Sequence, residues 1–382
     1  MKKVYFDSAA TTQLRSEVIH HIAEILKTEY GNPSSAHSYG RSAKSLLENA
    51  RKQVAAHLNV TAPEIIFTSG GTEADNLILQ SCVRDLGVQR IVSSKIEHHA
   101  VLHCIQKLEA DNNIEVAYVN LDERGQVDHD HLEQLLLGAS KKTLVSLMHV
   151  NNELGNMLDL DRTAQLCKAH NALFHSDMVQ SIGHFEVDFS KTPVDFSAVS
   201  AHKFHGPKGA GFAFVRKNSG LRACILGGAQ ERGLRAGTEA VYAISGMVEA
   251  LKLSYLNLEK EREYVLGLKN YFKQKLKTEL PGTHFNGACE DDSCSTYTLL
   301  NACLPLPPEK AMLLLFQLDL NGIACSQGSA CQSGSAGGSH VLNEVLPKAH
   351  AGKPSVRFSF SSFNTKDEID YVVGVLKEFA GS

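Results

Sequence analysis

The sequence predicts an α/β protein in which a large domain is built on a mostly parallel sheet and a smaller α/β domain follows. Between residues 64 and 200, short apolar β-rich runs alternate with helical segments, the pattern of parallel strands joined by helices. From residue 281 onward the elements follow a different rhythm. A chain of 382 residues, 43% hydrophobic, can bury two cores. We expect residues 15–258 to form the large domain and residues 1–14 and 259–382 the smaller one.

Periodicity and turn residues define the elements in chain order. Residues 1–14 are expected to be extended, and their small polar residues at 8–12 suit close packing near a pocket. Helical spacing predicts helices at 16–30, 40–58, 74–86, 132–137, 163–170, 240–280 and 366–379. Apolar β-leaning runs predict strands at 64–68, 90–93, 116–121, 143–150, 172–175, 194–199 and 212–215. We expect Ser16 to cap the first helix, and the helix at 240–280 to break mildly near Asn257 and Gly267.

Composition narrows the class of protein. The net charge is −4 and Lys and Arg form no basic run, so we expect no nucleic-acid partner. The N-terminus becomes polar too soon for a signal peptide, and the most apolar run, 311–320, is too short to span a bilayer. We therefore expect a soluble, cytoplasmic protein. The nine cysteines are odd in number and contain no C-x-x-C pair, so neither a disulfide framework nor a zinc site is expected.

Chemically useful side chains follow the predicted strands. Thr72, His98, Asn152, Asp177 and Lys203 each come just after a strand. In parallel α/β sheets, functional residues collect where strands end at their carboxyl edge, so we expect these side chains to share one pocket. Residues 69–73 (SGGTE) lie between a strand and a helix, a pattern that can seat a phosphate on backbone N–H groups, although such turns often serve only as connections.

This set of residues suits a pyridine aldehyde phosphate. Lys203 can condense with the aldehyde, and Asp177 can keep the ring nitrogen protonated so that the ring accepts electrons. His98 can stack on the ring. The remaining candidates are Gly71, Thr72, Ser200 and His202 around the phosphate and Asn152 and Gln180 at the ring oxygen and the substrate. A surface lysine, a capping aspartate, a core histidine and a turn asparagine are the ordinary alternatives, and each residue taken singly fits them.

The motifs resemble those of a known family along almost the whole chain. The matching stretches are 5–12 (YFDSAATT), 31–35 (GNPSS), 67–76 (FTSGGTEADN), 97–101 (EHHAV), 149–153 (HVNNE), 177–181 (DMVQS), 200–203 (SAHK), 231–238 (ERGLRAGT), 328–331 (GSAC) and 356–359 (VRFS). They resemble the class V, fold-type-I pyridoxal-phosphate enzymes, and within them the cysteine desulfurases of the NifS/IscS type. That resemblance implies a seven-stranded sheet in the large domain, pyridoxal 5'-phosphate as cofactor and L-cysteine as substrate.

The resemblance also implies roles for individual residues. Lys203 would bond covalently to the cofactor, Asp177 would contact its ring nitrogen, and His98 would stack on the ring and move protons. Arg357 would bind the substrate carboxylate, a bidentate task that suits a guanidinium group. The resemblance further implies that the phosphate is bound by Gly71, Thr72, Ser200 and His202, and that the cofactor is also contacted by Asn152 and Gln180. It implies a substrate pocket lined by Asn32 and Asn152. It also implies that Thr238 contacts the phosphate bound in the neighbouring subunit. The last role makes the protein a homodimer with composite sites.

Cys331 determines the subclass. It lies in a glycine-rich stretch of small residues, about 325–339, which we expect to be mobile because it has little to bury. The resemblance gives Cys331 the role of a nucleophile that takes sulfur from cysteine as a persulfide and passes it to an unidentified acceptor, for iron–sulfur clusters or other sulfur-containing cofactors. Gln327 and Gln332 depart from the family's usual pattern. Cys325 could pair with Cys331 or relay sulfur, although a core thiol is commoner. The alternatives are a selenocysteine lyase or another class V lyase or aminotransferase.

Overall fold

The chain is built around a central seven-stranded sheet. A computed structural model describes residues 2–138, 140–328, 339–346 and 353–381. The strands are β1 (Val4–Tyr5), β2 (Ile65–Thr68), β3 (Arg90–Ser93), β4 (Glu115–Tyr118), β5 (Thr143–Ser146), β6 (Leu173–Asp177), β7 (Phe196–Ser200), β8 (Gly211–Val215), β9 (His284–Phe285), β10 (Leu299–Cys303), β11 (Ile323–Ala324) and β12 (Ser355–Ser359). The large sheet has the order β2-β8-β7-β6-β5-β3-β4, and only β8 runs antiparallel to its neighbours. The prediction of a mostly parallel sheet is confirmed.

Helices connect the strands of this sheet and continue beyond it. They are α1 (Ser16–Thr28), α2 (Ser38–His57), α3 (Gly71–Leu86), α4 (His99–Asn112), α5 (His129–Leu136), α6 (Leu160–Ala169), α7 (Val241–Leu256), α8 (Leu258–Glu279), α9 (Pro308–Leu320), α10 (His340–Val345) and α11 (Lys366–Gly381). Among the described helices, none combines the length and the apolar character needed to cross a membrane.

Some local expectations are wrong. The N-cap of α1 is Arg15, whose backbone is extended, and Ser16 is already the first helical residue, where its hydroxyl bonds the side chain of Glu17. The long helical region is divided at Asn257, as expected, but α8 continues through Gly267. The strand that begins at Thr143 ends at Ser146, so the apolar residues after it belong to the turn that leads to Asn152. Apolar character alone therefore overestimates the length of this strand.

The large sheet is buried on both faces. Along β2, Ile65 and Phe67 join one apolar core, whereas Ile66 joins the other. This alternation follows from the pleat, which turns successive side chains to opposite faces. The first core also takes in α2, α6 and α7, and the second takes in α3 and α4. Because helices cover both faces, the exposed rim where the strands end is the place where polar side chains can meet in a pocket.

A separate core lies around the smaller sheet. Its three strands follow the order β12-β10-β9 and are all antiparallel. Rings of Phe6, Phe272, Phe358 and Phe360 pack edge to face or tilted in this core, with centroids 4.9–5.9 Å apart. The N-terminal strand β1 pairs in parallel with β11, so the first residues of the chain pack with the last third of it. The domain boundaries given above stay a prediction.

Candidate active site

A cavity of 550 Å³ lies at the carboxyl edge of the large sheet. All the residues predicted to follow strands, namely Thr72, His98, Asn152, Asp177 and Lys203, line it. Gly71, Gln180, Ser200, His202 and Arg357 line the same cavity. The structure therefore brings together side chains that lie up to several hundred residues apart in the sequence. Asn32 and Thr238 are exposed and lie outside the lining formed by the described residues. Cys331 lies outside the described residues.

Lys203 enters the cavity from the end of β7. A short 3-10 turn, Ala201–Lys203, follows this strand and directs the lysine toward the N-terminal segment. Its Nζ donates to the carbonyl oxygens of Ala9 and Ala10 at 2.7 and 2.8 Å. The side chain of Gln180 also donates to the Ala9 carbonyl, at 2.9 Å. The small residues near the N-terminus thus form a wall of the cavity, and their carbonyls hold the lysine amine at its edge.

Asp177 is a buried carboxyl group at the end of β6. One of its oxygens accepts a hydrogen bond from the backbone N–H of Val179 at 2.9 Å. Burial raises the pKa of Asp177 to about 6, while this hydrogen bond and the nearby Lys203 act in the opposite direction. Burial is the larger effect because the ionised form loses its hydration inside the protein. The carboxyl group can therefore ionise near neutral pH, and it would do so more readily beside a cation.

Two further buried acids, Asp75 and Glu97, lie near Asp177. Burial, with the charges of Asp177 and Glu97, raises the pKa of Asp75 well above its usual range. Burial also raises the pKa of Glu97 to about 8, although Met148 N–H and the Ser94 hydroxyl bond its carboxyl group. Glu97 is therefore protonated under conditions in which Asp177 ionises. The sequence analysis missed these residues, although both lie within motifs it quoted.

His98 caps the N-terminus of α4. Its Nδ1 accepts from the backbone N–H of Ala100 at 3.1 Å, so a neutral ring carries its proton on Nε2. Burial lowers the pKa of His98 to about 4, and the positive charge of Lys203 acts in the same direction. The imidazole is therefore neutral near pH 7, and its tautomer is fixed by the helix cap. Such a ring can lie against an aromatic ligand without adding charge to it.

The turn before α3 is shaped for close approach. Gly70 has a φ of +150°, a conformation open to glycine. A Cβ on Gly71 would lie 2.5 Å from Cγ2 of Val179, and a Cβ on Gly211 would lie 2.7 Å from Cα of Gly70. The glycines thus let the turn pack tightly onto β7 and β8, and the first residues of α3 line the cavity. Helix N-termini of this kind bind anions.

Ser200 and His202 lie beside this turn. Ser200 is buried at the end of β7, and Nδ1 of His202 lies 3.2 Å from the hydroxyl of Thr11. Burial lowers the pKa of His202 to about 4, with Lys203 and Lys208 adding to the effect. The ring is therefore neutral at pH 7 and can donate one hydrogen bond. Together with the α3 turn, these residues form a polar seat of suitable chemistry for a phosphate.

Comparisons with known proteins agree with this geometry. The family model for class-V aminotransferases matches residues 4–372. The chain belongs to the class-V aminotransferase family. Relatives include the cysteine desulfurase IscS of Dictyoglomus turgidum, 36% identical over 98% of this chain and 94% of that protein, and the putative cysteine desulfurase IscS 1 of Bacillus subtilis, 38% identical over 97% and 96%. A solved NifS-like protein superposes over 100% of both chains with a TM-score of 0.90 at 33% identity.

Class-V aminotransferases are pyridoxal-phosphate-dependent enzymes, and the chain is such an enzyme. The residues present fit this cofactor. A lysine amine lies at the cavity edge, a buried carboxyl group can pair with a ring nitrogen, and a helix N-terminus with adjacent hydroxyl and imidazole groups can hold a phosphate. The volume of 550 Å³ is within the usual range of about 300–1,000 Å³ for small-molecule sites.

Arg357 extends from β12 into the cavity of this class-V enzyme. Its side chain is buried and donates to Asp7 at 2.9 Å and to the carbonyl of Asn152 at 2.8 Å. Its Nε is buried and has no hydrogen-bond partner among the described residues. An unpaired N–H of a buried guanidinium group costs free energy, which an anionic ligand would recover. The backbone of Ser326 also pairs with that of Arg357, so the guanidinium group is held near the start of the Cys331 stretch.

Several of the described cysteines of this enzyme pack in the apolar cores. Cys82, Cys104 and Cys167 are buried on α3, α4 and α6, as expected. Cys325 packs against the core of the smaller sheet, and burial raises its pKa to about 12. Its thiol is therefore protonated at neutral pH and a poor nucleophile. This favours the interpretation of Cys325 as a core thiol over that of a sulfur relay.

Proposed function

We propose that this chain is a pyridoxal-phosphate-dependent cysteine desulfurase. It converts L-cysteine to L-alanine and passes the sulfur, as a persulfide on Cys331, to an acceptor. The observation that carries the proposal is the meeting of Lys203, Asp177, His98 and Arg357 in one cavity. Of the two curated relatives named above, one is called a cysteine desulfurase and the other a putative cysteine desulfurase. A selenocysteine lyase, or another class V lyase or aminotransferase, is not favoured by these relatives.

Side chains around the cavity would hold and orient the cofactor. Bound pyridoxal 5'-phosphate would supply a protonated pyridine ring that accepts electrons from the substrate's α-carbon. Asp177 would hold the proton on the ring nitrogen, and Lys203 would bond to the aldehyde carbon. His98 would lie against the ring. The phosphate would be held by Gly71, Thr72, Ser200 and His202, and the ring oxygen would be bonded by Asn152 and Gln180. All of these residues line the cavity, which supports the assignments.

Arg357 would bind the substrate carboxylate. Its unpaired Nε is the natural donor for one carboxylate oxygen, and the hydrogen bonds to Asp7 and Asn152 fix the plane of the guanidinium group. Asn152 would add a contact to the substrate. Asn32, which is exposed in this single chain, would complete the pocket at its outer edge. A carboxylate held in this way would lie in the same cavity as Lys203.

Proton and sulfur transfer would follow from this placement. The amine of Lys203, displaced from the cofactor by the substrate, would take the α-proton. His98, neutral and with its proton on Nε2, would donate to and accept from the reacting groups. The thiolate of Cys331 would attack the substrate sulfur, so that an S–S bond forms as the C–S bond breaks. The carbon fragment would keep the electron pair of the broken C–S bond, take up a proton at its β-carbon, regain the α-proton and leave as alanine, while Cys331 keeps the sulfur as a persulfide.

The assembly and the setting belong to the same proposal. The protein would act as a homodimer in which Thr238 of each subunit contacts the phosphate in the other. The exposed position of Thr238 supports this role. The enzyme would work in the cytoplasm and supply sulfur for iron–sulfur clusters or other sulfur-containing cofactors through an acceptor protein.

A comparison of the purified protein with Cys331→Ala tests the proposal. Both proteins are given L-cysteine and a reductant, and alanine and sulfide are measured. We expect equal amounts of alanine and sulfide from the wild type, and a loss of at least about 10²-fold in the variant, because the nucleophile is absent. Cys325→Ala is the matched control and should retain activity, since its thiol is partly buried against the core of the smaller sheet and has a pKa raised to about 12.

Other results would exclude parts of the proposal. Equal alanine from wild type and Cys331→Ala would show that Cys331 is not the nucleophile and would favour a lyase. A protein that binds the cofactor but makes no alanine from cysteine would act on a different amino acid. Loss of activity in Cys325→Ala, with normal folding, would restore the relay role for that thiol.

A further inference from the structure

The loop formed by residues 230–238, here called the Glu231 loop, has a strained backbone. Glu231 and Arg232 are consecutive non-glycine residues with positive φ, +46° and +57°. L-residues disfavour this left-handed conformation, and two in succession are unusual outside glycine-rich turns. Such a conformation persists only where the surrounding contacts determine it. The contacts that hold the Glu231 loop in this conformation therefore indicate the role of the loop.

Glu231 anchors the loop to the strand that leads into the phosphate seat. Its carboxylate accepts from both terminal nitrogens of Arg51 at 2.7 and 2.8 Å, and from the backbone N–H of Phe67 at 2.8 Å. Arg51 is only 2% exposed, and its guanidinium group lies 4.5 Å from the centre of the Phe67 ring. This buried bidentate pair fixes the loop against the end of β2. The chain of β2 continues directly into Gly70 and Gly71.

A second ion pair anchors the same loop on the other side of the seat. Arg235 donates from Nε and Nη2 to the two carboxylate oxygens of Glu73 at 2.8 and 3.2 Å. Glu73 is in the first turn of α3, directly after Thr72, and it also accepts from the backbone N–H of Ser69. The Glu231 loop therefore contacts the residues before and after the glycine turn. These pairs connect the turn to the loop.

The end of the loop faces outward. Thr238 is exposed, and exposed apolar side chains lie nearby in the chain, including Ile225, Leu226 and Tyr242. Leu226 is 84% exposed, and the carbonyl of Ile225 accepts from the backbone N–H of Ala236 in the loop. Large apolar side chains grouped at a surface indicate a contact with another protein. One side of the loop thus holds the phosphate seat, and its end belongs to a surface suited to a second copy.

We propose that Glu231 is a positioning residue that couples filling of the phosphate seat in one subunit to association with the second subunit. This inference rests on the proposed function, because it takes the cofactor phosphate and the homodimer from it. Cofactor in the seat fixes the turn at Gly70 and Gly71, and the pairs at Glu231 and Arg235 then hold the loop in the form that presents Thr238. By linkage, the dimer binds cofactor more tightly by the same factor as the cofactor tightens the dimer.

The coupling is measured from dimer dissociation constants of the full chain. Fluorescence-detected sedimentation of labelled protein gives the constant without cofactor and with saturating pyridoxal 5'-phosphate, and the ratio is the coupling. We expect a wild-type ratio of roughly 5- to 150-fold, the usual size of allosteric coupling. Glu231→Gln should lower the ratio to within about 2-fold of unity, since the amide cannot accept both Arg51 bonds. If Glu231→Gln does not fold, the ratio is measured in Arg235→Gln instead. This variant breaks the less buried of the two ion pairs and should also lower the ratio.

Arg232→Gln is the matched control. It lies in the same loop with the same strained backbone, and its pair with Glu48 is exposed on both sides. Glu48 also accepts from Nε of Arg51, but Arg232→Gln leaves both bonds from the terminal nitrogens of Arg51 to Glu231 in place. Its ratio should equal that of the wild type. A normal ratio in Glu231→Gln and Arg235→Gln, even with weaker dimers, would reduce the pairs to a structural role and overturn the inference. A wild-type dimer dissociation constant that bound cofactor does not change would also overturn the inference. A protein that forms no alanine, but whose dimer dissociation constant changes with cofactor as expected, would contradict only the desulfurase reaction.

Discussion

At the scale of single residues, the charge state of Asp177 controls how the cavity would hold its cofactor. The carboxyl group is buried, accepts one backbone hydrogen bond and lies near Lys203. An ionised carboxylate can pair with a protonated ring nitrogen, whereas a protonated carboxyl group cannot. Burial, which raises the pKa of Asp177 to about 6, therefore brings the change of state close to physiological pH.

Cofactor affinity should depend on this ionisation. The raised pKa means that Asp177 is ionised above about pH 6 and protonated below it, so affinity should fall as the pH decreases through about 6. Asp177→Asn should weaken binding at higher pH by roughly 10- to 150-fold, the value of one hydrogen bond to a charged group. Titration of the apoprotein with pyridoxal 5'-phosphate at several pH values, followed by absorbance, measures both effects.

The cofactor's own phosphate also titrates, so the variant supplies the control. The difference between the wild-type and Asp177→Asn profiles isolates the contribution of the carboxyl group. Asp75→Asn tests specificity, since Asp75 lies in the same cavity but burial and the charges of Asp177 and Glu97 raise its pKa well above the usual range. If Asp75→Asn weakened binding as much as Asp177→Asn did, Asp75 would be the charged partner instead.

At the scale of elements, helix α8 shows how packing overrides a local signal. Glycine has a low helix propensity, so Gly267 predicts a break in the helix. The helix nevertheless runs from Leu258 to Glu279 without a break at this residue. Buried Val265, Leu268 and Phe272 anchor the helix on both sides of the glycine in the core of the smaller sheet. Their burial keeps the exposed glycine helical, at a cost in chain entropy.

Gly267→Ala should therefore stabilise the protein. A Cβ at this position meets open space, and a helical backbone suits alanine, so we expect about 0.4–1 kcal/mol of added free energy of unfolding. Chemical denaturation of both proteins under the same cofactor conditions measures the difference. Gly87→Ala is the control: its Cβ also meets open space, but its φ of +68° disfavours alanine by roughly 1–2 kcal/mol. Destabilisation by Gly267→Ala would mean that the helix needs the freedom of glycine there.

The elements that the sequence predicts well are those with strong local signals. The strands of the large sheet carry continuous apolar runs because both faces of the sheet are buried. The carboxyl ends of these strands lie at one edge, so Thr72, His98 and Lys203 could be predicted to line one pocket. Contacts that depend on tertiary folding could not be predicted. Arg357 meets Asp7 across 350 residues of sequence.

The buried acids near Asp177, namely Asp75 and Glu97, give a further reason why tertiary contacts could not be predicted from the sequence. Asp75 lies on a helix among polar neighbours in the sequence, and only the packing of α3 on the sheet places it beside His175, with a distance of 3.3 Å between their side chains. The motif that contains Asp75 does not distinguish a buried carboxyl group from an exposed one. Burial of a polar side chain is a property of the whole fold, so it appears only once the layers are assembled.

At the scale of the whole molecule, the cavity joins the part of the chain built on the large sheet to the part built on the smaller sheet. Lys203 and Asp177 stand on the large sheet, whereas Arg357 stands on β12 in the smaller one. Asp7 and Ala9, at the N-terminus, contact Arg357 and Lys203 respectively. The bidentate pair of Arg15 and Glu261 adds a link between the start of α1 and α8. A ligand in the cavity would therefore stabilise both parts of the chain together.

Cofactor binding should raise the melting temperature of the whole protein in a single transition. A ligand that binds only the folded state at about 1,000 times its dissociation constant adds about 4 kcal/mol to the free energy of unfolding. Differential scanning calorimetry of the protein with and without pyridoxal 5'-phosphate measures this shift. Lys203→Ala, which cannot form the covalent bond, should lose about 1.4 kcal/mol of it for each tenfold loss of affinity.

Arg357→Lys separates the cofactor from the substrate in this measurement. The variant should keep the full shift from cofactor, because Arg357 is assigned to the substrate carboxylate, but it should lose any additional shift from an unreactive cysteine analogue. An equal cofactor shift in Lys203→Ala and the wild type would contradict the covalent role of the lysine. Two separate transitions in the loaded protein would show that the cores unfold independently, and the cavity would then not join them energetically.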